Sequence, residues 1–149
     1  MRSCTGADMA KGPTFVDTGY FVALLNRKDA LHARALELSR GWERDQIELL
    51  TTDAVLIELA NFFARSPLRA LAISSIETIR SAPGWRLEHI TPQRFNRGIA
   101  RYAAHLDKDW SLTDCLSMDA MADHHATEVA TPDHHFVQAG FRVLMRHPS

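Results

Sequence analysis

The sequence predicts an α/β fold built on a largely parallel sheet, and three observations lead there. Short β-type runs alternate with helical patterns from residue 14 onward. No linker, repeat or low-complexity segment breaks the alternation. A chain of 149 residues suits one domain with its own buried core.

Thr14-Phe15-Val16 reads as the first strand. A helix is predicted over about 30–39, where Leu31, Ala35 and Leu38 fall at helical spacing. Glu48 to Thr51 reads as the second strand, and Thr52 or Asp53 then caps a helix with Val55, Leu59, Phe62 and Phe63 on one face. Pro67 opens a further helix through Ile73, Ile76 and Ile79, which Pro83-Gly84 ends. Trp85 to Ile90 alternates like a strand, and Thr91-Pro92 starts a helix reaching about His105. Ser111 to His124 is helical, Glu128 to Thr131 is a strand, and Phe141 to Met145 is the last one. Residues 1–13, ending in Gly12-Pro13, read as a flexible leader, and 14–149 as a single domain.

The composition, 46% apolar and 23% charged, is that of an ordered globular chain. Seventeen basic against 18 acidic residues leave a formal charge of −1, which excludes a basic nucleic-acid coat and an acidic solvating segment. No apolar run approaches a membrane span. Two cysteines, Cys4 and Cys115, build neither a disulfide framework nor a C-x-x-C pair, so a reducing, cytoplasmic setting is expected.

In such a sheet ligands bind beyond the carboxyl ends of the strands. Asp17 directly follows the first strand, and Asp133 follows the fourth after Pro132. Each alone is adequately explained as a loop aspartate capping the next helix. Glu58 is harder to dismiss. It sits mid-helix, about 60° from Val55 at the border of the apolar stripe. Asp114 falls inside the arc of Cys115, Met118 and Met121, where a carboxylate is costly unless compensated. The plain explanation of Asp114 is a capping box, Ser111-Leu112-Thr113-Asp114, in which the acid satisfies the helix start. Asp109 lies close enough to join the same pocket, whereas Asp119 and Asp123 read as a solvated face. His124-His125 and His134-His135 are adjacent pairs rather than metal-spaced ones and read as surface histidines, with His134 and His135 near the site through Asp133. If Asp17, Glu58, Asp114 and Asp133 converge, their mutual repulsion calls for a cation. Oxygen-only ligands select Mg²⁺ or Mn²⁺, and the chemistry that follows is metal-dependent phosphodiester cleavage.

Four segments together resemble the PIN-domain ribonucleases, and within them the VapC-type toxins of toxin–antitoxin pairs. They are Phe15-Val16-Asp17-Thr18, Thr51 to Leu59, Lys108 to Cys115, and Ala130 to Phe136, and the likeness runs from about Thr14 to Leu144. The stretch Asn26 to Ala33, with Asp29 and His32, also fits the family's habit after the first strand. The resemblance implies a three-layer α/β/α sandwich with a central, mainly parallel sheet. It places Asp17, Glu58, Asp114 and Asp133 on the family's metal-binding and catalytic acids and Asp109 on an additional one. Thr18 and Thr113 fall on pocket-lining hydroxyls. It further implies hydrolysis of RNA to a 5′-phosphate and a 3′-hydroxyl, a homodimer, and a cognate antitoxin that plugs the groove, often with a basic side chain. Operator DNA would be met only through that antitoxin, and no membrane is involved. Two residues depart from the family's pattern: Gly19 stands where serine is common, and Pro132 where a non-proline is usual. Arg65, Arg69, Arg94, Arg97 and Arg101 are expected to flank the groove and hold the RNA backbone.

A receiver-like phosphoacceptor domain would need a lysine after the last strand, where this chain has Arg142 and Arg146. A haloacid-dehalogenase-like phosphatase needs Asp-x-Asp, which Asp17-Thr18-Gly19 does not supply. The alternative that survives is a non-catalytic PIN-type interaction or RNA-binding module, although such domains typically lose acids that this chain keeps.

Overall fold

The computed structural model describes residues 12–146; most of the expected leader therefore lies outside the described residues. Five strands form one sheet: β1 (Thr14–Val16), β2 (Leu49–Thr52), β3 (Trp85–Glu88), β4 (Glu128–Ala130) and β5 (Arg142–Val143). Their order is β3-β2-β1-β4-β5, and every neighbouring pair is parallel. The chain thus steps outward from β1 to β3, then crosses back to build β4 and β5 on the other side of β1. Helices α1 (Thr18–Leu25) and α2 (His32–Asp45) lead to β2, and α3 (Asp53–Phe62) and α4 (Arg69–Ser81) lead to β3. Helices α5 (Pro92–Ala104) and α6 (Leu112–Asp123) precede β4, and α7 (His135–Gln138) precedes β5. Parallel connections of this kind are right-handed as a rule, and the helices cover both faces of the sheet. The expected three-layer α/β/α sandwich with a parallel sheet is the observed fold.

Because both faces are covered, β1, β2 and β4 bury consecutive residues instead of alternating ones. Phe15, Val16, Leu50, Val129 and Ala130 form the centre of the core. Thr51 is buried there without penalty, since its hydroxyl donates to the Val16 carbonyl at 2.8 Å. Local signals set the helix starts. Thr52 accepts from the Val55 N–H at 3.3 Å and Thr91 from the Arg94 N–H at 3.1 Å, with Pro92 in the first turn. Gly98 lets α5 approach α6 closely, for a Cβ there would meet Leu116 Cδ2 at 2.5 Å.

The structure differs from the sequence reading in several places. Helix α1 has no counterpart there: Thr18–Leu25 buries Thr18, Tyr20, Phe21 and Ala23 and offers no polar face to reveal a period. Phe62 does not join the buried stripe of α3; it ends the helix and is 60% exposed, while Phe63 takes the core position. Asp119 and Asp123 are not merely solvated. Arg94, itself buried, donates to Asp119 at 2.8 Å, to Asp123 at 3.0 Å and to Glu88 at 3.4 Å, and Arg97 reaches Asp119 at 3.0 Å. The cause is the packing of α5 on α6, which brings the two rows of opposite charge together. Arg94 and Arg97 therefore serve the fold and are not free to hold RNA.

Candidate functional site

The strand order reverses direction between β1 and β4, and the crevice beyond their carboxyl ends is where such sheets place ligands. Asp17 and Thr131 continue β1 and β4 into this crevice. Asp17 has the backbone of an N-cap residue, yet its side chain makes no capping bond to α1. It turns instead to the Thr131 hydroxyl, which donates to Asp17 Oδ2 at 2.8 Å. The helix-cap explanation thus fails for Asp17. Thr131 is itself fully buried, and its Oγ1 also accepts the Asp133 N–H at 3.2 Å, so one hydroxyl fixes two acids.

Asp114 does serve as a cap. Its N–H donates to Ser111 Oγ at 3.0 Å, and its Oδ2 accepts the Ser111 N–H at 3.0 Å. The expected capping box is present, but it does not exhaust the residue's role. Asp114 is also buried and lines the same cavity as Asp17, because the box turns its carboxylate back towards the start of α6. Asp133 likewise accepts the His135 N–H at 2.9 Å through Oδ1 and lines the cavity. Glu58, solvent-exposed, reaches in from the middle of α3.

The resulting cavity, about 560 Å³, gathers Asp17, Glu58, Asp109, Asp114 and Asp133, with Asp29 as a sixth acid. No lysine or arginine lines it among the described residues. Burial drives the Asp17 carboxyl up to about 7, and the Asp114 and Glu58 charges push the same way. The bonds from the Thr131 hydroxyl and the Thr18 backbone offset only part of this. Charges arranged in this way suit a cation. Thr18 fits the same reading, since its hydroxyl is buried without a hydrogen-bond partner among the described residues. A donor set dominated by carboxylate and hydroxyl oxygens, with excess negative charge and His135 as the one ring nitrogen in the lining among the described residues, fits Mg²⁺ or Mn²⁺. A larger cleft of about 870 Å³ lies beside the amino ends of β2 and β3 against Trp42 and Trp85. Among the described residues its only lining carboxylate is Glu43, so size does not decide where the chemistry is.

Some residues sit differently from their expected places. Thr113 is half-buried and stands outside the lining, whose hydroxyls come from Thr18, Ser111 and Thr131. Asp29 enters the sequence reading only through the family's habit; its Oδ1 accepts the Leu31 N–H at 2.8 Å and so holds the turn before α2 against the cavity. His135 is more than a surface histidine. Its Nδ1 lies 3.0 Å from Asp114 Oδ2 and 3.2 Å from Asp133 Oδ1. His134 remains exposed, although its ring also turns towards Asp133 at 3.8 Å. Ligand atoms of Asp133, His134 and His135 lie within 4.8 Å of one another, a grouping that adjacent positions on a long helix would not allow. It arises because α7 is only one turn long and begins at these residues.

The two departures from the family's pattern are physically one. A Cβ on Gly19 would meet Pro132 Cδ at 2.6 Å. Pro132 can lie against the start of α1 only because residue 19 has no side chain.

Comparison with known proteins agrees with this picture. A family model described as the PIN domain matches residues 14–142. The "23S rRNA-specific endonuclease VapC20" of Mycobacterium tuberculosis is 28% identical over 127 residues, covering 85% of this chain and 94% of the relative. The crystal structure of M. tuberculosis VapC20, described as a sarcin–ricin loop cleaving toxin, superposes with a TM-score of 0.74 at 25% identity, covering 86% of this chain and 95% of that one. FitAcB from Neisseria gonorrhoeae shares the fold, with a TM-score of 0.59 at 17% identity over 87% of this chain and 95% of that one.

Proposed function

This chain belongs to the PIN-domain family, and from that premise we propose that it is a VapC-like toxin: a Mg²⁺- or Mn²⁺-dependent endoribonuclease restrained by a cognate antitoxin. The observation that carries the reading is the convergence of five sequence-predicted acids on one cavity that no lysine or arginine lines among the described residues. Asp17, Glu58, Asp114 and Asp133 are the residues proposed to hold the metal and carry catalysis. Asp109 and the Thr18 hydroxyl support them at the rim and the base. When bound, the cation supplies positive charge to the reacting phosphate and makes an attacking water more acidic.

The protein's own groups have defined tasks. Thr131 holds Asp17 and the Asp133 backbone in fixed relation, so two donors are placed before any ligand arrives. The capping box does the same for Asp114 by locking it to the first turn of α6. His135 bridges Asp114 and Asp133 and keeps the two carboxylates at a set separation. RNA phosphates would enter a pocket that repels them until its charge is neutralised, which makes metal and substrate binding interdependent.

The antitoxin is proposed to occupy the same groove, presenting a basic side chain to these acids, and to carry any contact with operator DNA. A homodimer acting in the cytoplasm completes the proposal; no helix among the described residues is long and apolar enough to cross a membrane. Because VapC20 is named for cutting 23S rRNA, ribosomal RNA is the first substrate to examine. Inducible expression followed by mapping of RNA 5′ ends tests the reading. A discrete new 5′-phosphate end with the wild type, absent with Asp114→Asn, is the expected result. Unchanged ends, with a cellular effect that persists in Asp114→Asn, would favour a non-catalytic interaction module. A small antitoxin gene immediately upstream would support the partnership.

A further inference from the structure

The acidic cavity has a second wall that the metal chemistry leaves unexplained. Besides carboxylates and hydroxyls it is lined by Val22, Leu31, Phe62 and Pro132. Val22, Leu31 and Pro132 are buried or half-buried and belong to the packing around α1. Phe62 is different. It is 60% exposed, although the neighbouring Phe63 is buried at 3%. The two rings meet edge-on, with centroids 4.9 Å apart and planes at 75°, so the core residue steadies an aromatic ring that stands in solvent.

Its position relates it to the reaction centre. Phe62 follows Glu58 by four residues on α3, which puts the two side chains on one face about 6 Å apart along the axis. A cation held by carboxylates has little need of an aromatic face, and a phosphate gains nothing from one. A nucleobase does, because every base has a face to stack, and RNA loops expose unstacked bases for this kind of contact. The charge distribution sharpens the point. No lysine or arginine lines the cavity among the described residues, and Arg94 and Arg97, expected to hold the backbone, are engaged with Asp119 and Asp123. Affinity for RNA at this site must therefore draw on something other than phosphate neutralisation by the cavity wall.

We propose that Phe62 is a substrate-binding residue that stacks an unpaired base of the RNA next to the scissile phosphate. The proposal rests on the ribonuclease reading above, in that the base it positions adjoins the bond to be cut. Stacking of this kind fixes which nucleotide reaches the carboxylates, so Phe62 acts on specificity as well as on affinity.

The test uses the full-length protein and a synthetic sarcin–ricin-loop hairpin, with 2-aminopurine replacing one loop base at a time. Binding is measured with Asp114→Asn as the cleavage-silent background, and cleavage with the wild-type pocket. Phe62→Ala is expected to weaken hairpin binding by about five- to a hundred-fold, seen mainly in KM, and to abolish the 2-aminopurine quenching at one loop position. Phe62→Trp should restore both, and Phe62→Leu neither. Circular dichroism and melting of the variants should match the parent, since the ring is mostly exposed. If Phe62→Leu binds RNA as well as the parent, or Phe62→Ala loses no RNA affinity and weakens only self-association, the ring serves apolar contact with protein and the proposal falls. Cleavage that proceeds normally in Phe62→Ala sinks the stacking role while leaving the nuclease. Phe62-dependent binding without any cleavage by the wild type sinks the nuclease and keeps the stacking role. Failure of the wild-type protein to bind the hairpin overturns the stacking proposal and leaves the nuclease to the ribosomal RNA cleavage assay.

Discussion

Replacing Asp17 by asparagine should stabilise the metal-free protein while destroying its metal site. Asp17 lies at the end of β1 with its carboxyl raised from 3.8 to about 7, mainly by burial and further by Asp114 and Glu58. The folded state thus holds the proton more tightly than the unfolded chain does. Ionisation costs nothing in stability below about pH 4, where both states are protonated. The cost grows as pH rises towards 7 and stays constant above it. A displacement of this size corresponds to at most about 4 kcal/mol, reduced where the pocket relaxes. The amide that replaces the carboxyl keeps an oxygen to accept the Thr131 hydroxyl but has no charge to desolvate. Urea unfolding in chelator should therefore show Asp17→Asn close to wild type at pH 4 and more stable by about 2–4 kcal/mol at pH 8. Saturating Mn²⁺ should reverse the order, because a bound cation stabilises the carboxylate and has less to hold in the variant. If the variant is no more stable than wild type at pH 8 in chelator, Asp17 is not a strained, uncompensated acid and the electrostatic argument for a cation site fails.

Three further outcomes follow from particular contacts. Gly19→Ser should cost about 1–3 kcal/mol by forcing its Cβ against Pro132, and Pro132→Ala in the same chain should recover most of that loss in thermal melts. Arg94→Met should destabilise the fold by about 1–3 kcal/mol, because it removes the buried partner of Asp119 and leaves only the half-exposed Arg97 on that carboxylate. Cleavage per folded molecule should survive that change, and its loss would show the α5–α6 ion-pair network to be part of the site. Apparent Mn²⁺ affinity, followed by calorimetry, should rise with pH up to about 7 as the Asp17 proton is displaced, then level off; a flat profile from pH 5 to 8 would contradict the raised carboxyl.

What the sequence reveals and what it hides divide along physical lines. Elements announced by local chemistry are legible: the β-type run Thr14–Val16, the Thr91-Pro92 start of α5, and the Ser111–Asp114 box are each complete within a few residues. The acids are legible because Asp17 and Asp133 follow strands, and because Glu58 and Asp114 sit at or within apolar helix faces. Helix α1 is hidden because it is apolar on every side, and α7 because one turn carries no period. Phe62 fits the apolar spacing of α3, but the helix runs past the core at that point, and only the tertiary structure shows the ring emerging. Asp119 reads as solvated on α6 alone; its partner Arg94 lies on another helix. His135 and Asp29 join the cavity through loop geometry that no spacing rule encodes. The pairing of Gly19 with Pro132 joins positions far apart in the chain that meet where β1 and β4 end.

The central claim is that the gathered carboxylates make this chain a metal-dependent ribonuclease. It is tested most directly by incubating purified full-length protein, freed of any partner, with ribosomal RNA and the sarcin–ricin hairpin across a Mn²⁺ and Mg²⁺ titration. The expected result is cleavage at defined positions that yields 5′-phosphate ends, stops on chelation, resumes when metal is restored, and is absent in a folded Asp114→Asn variant. Metal binding by the wild type with every RNA left intact in enzyme excess, or cleavage that persists in Asp114→Asn, would contradict it.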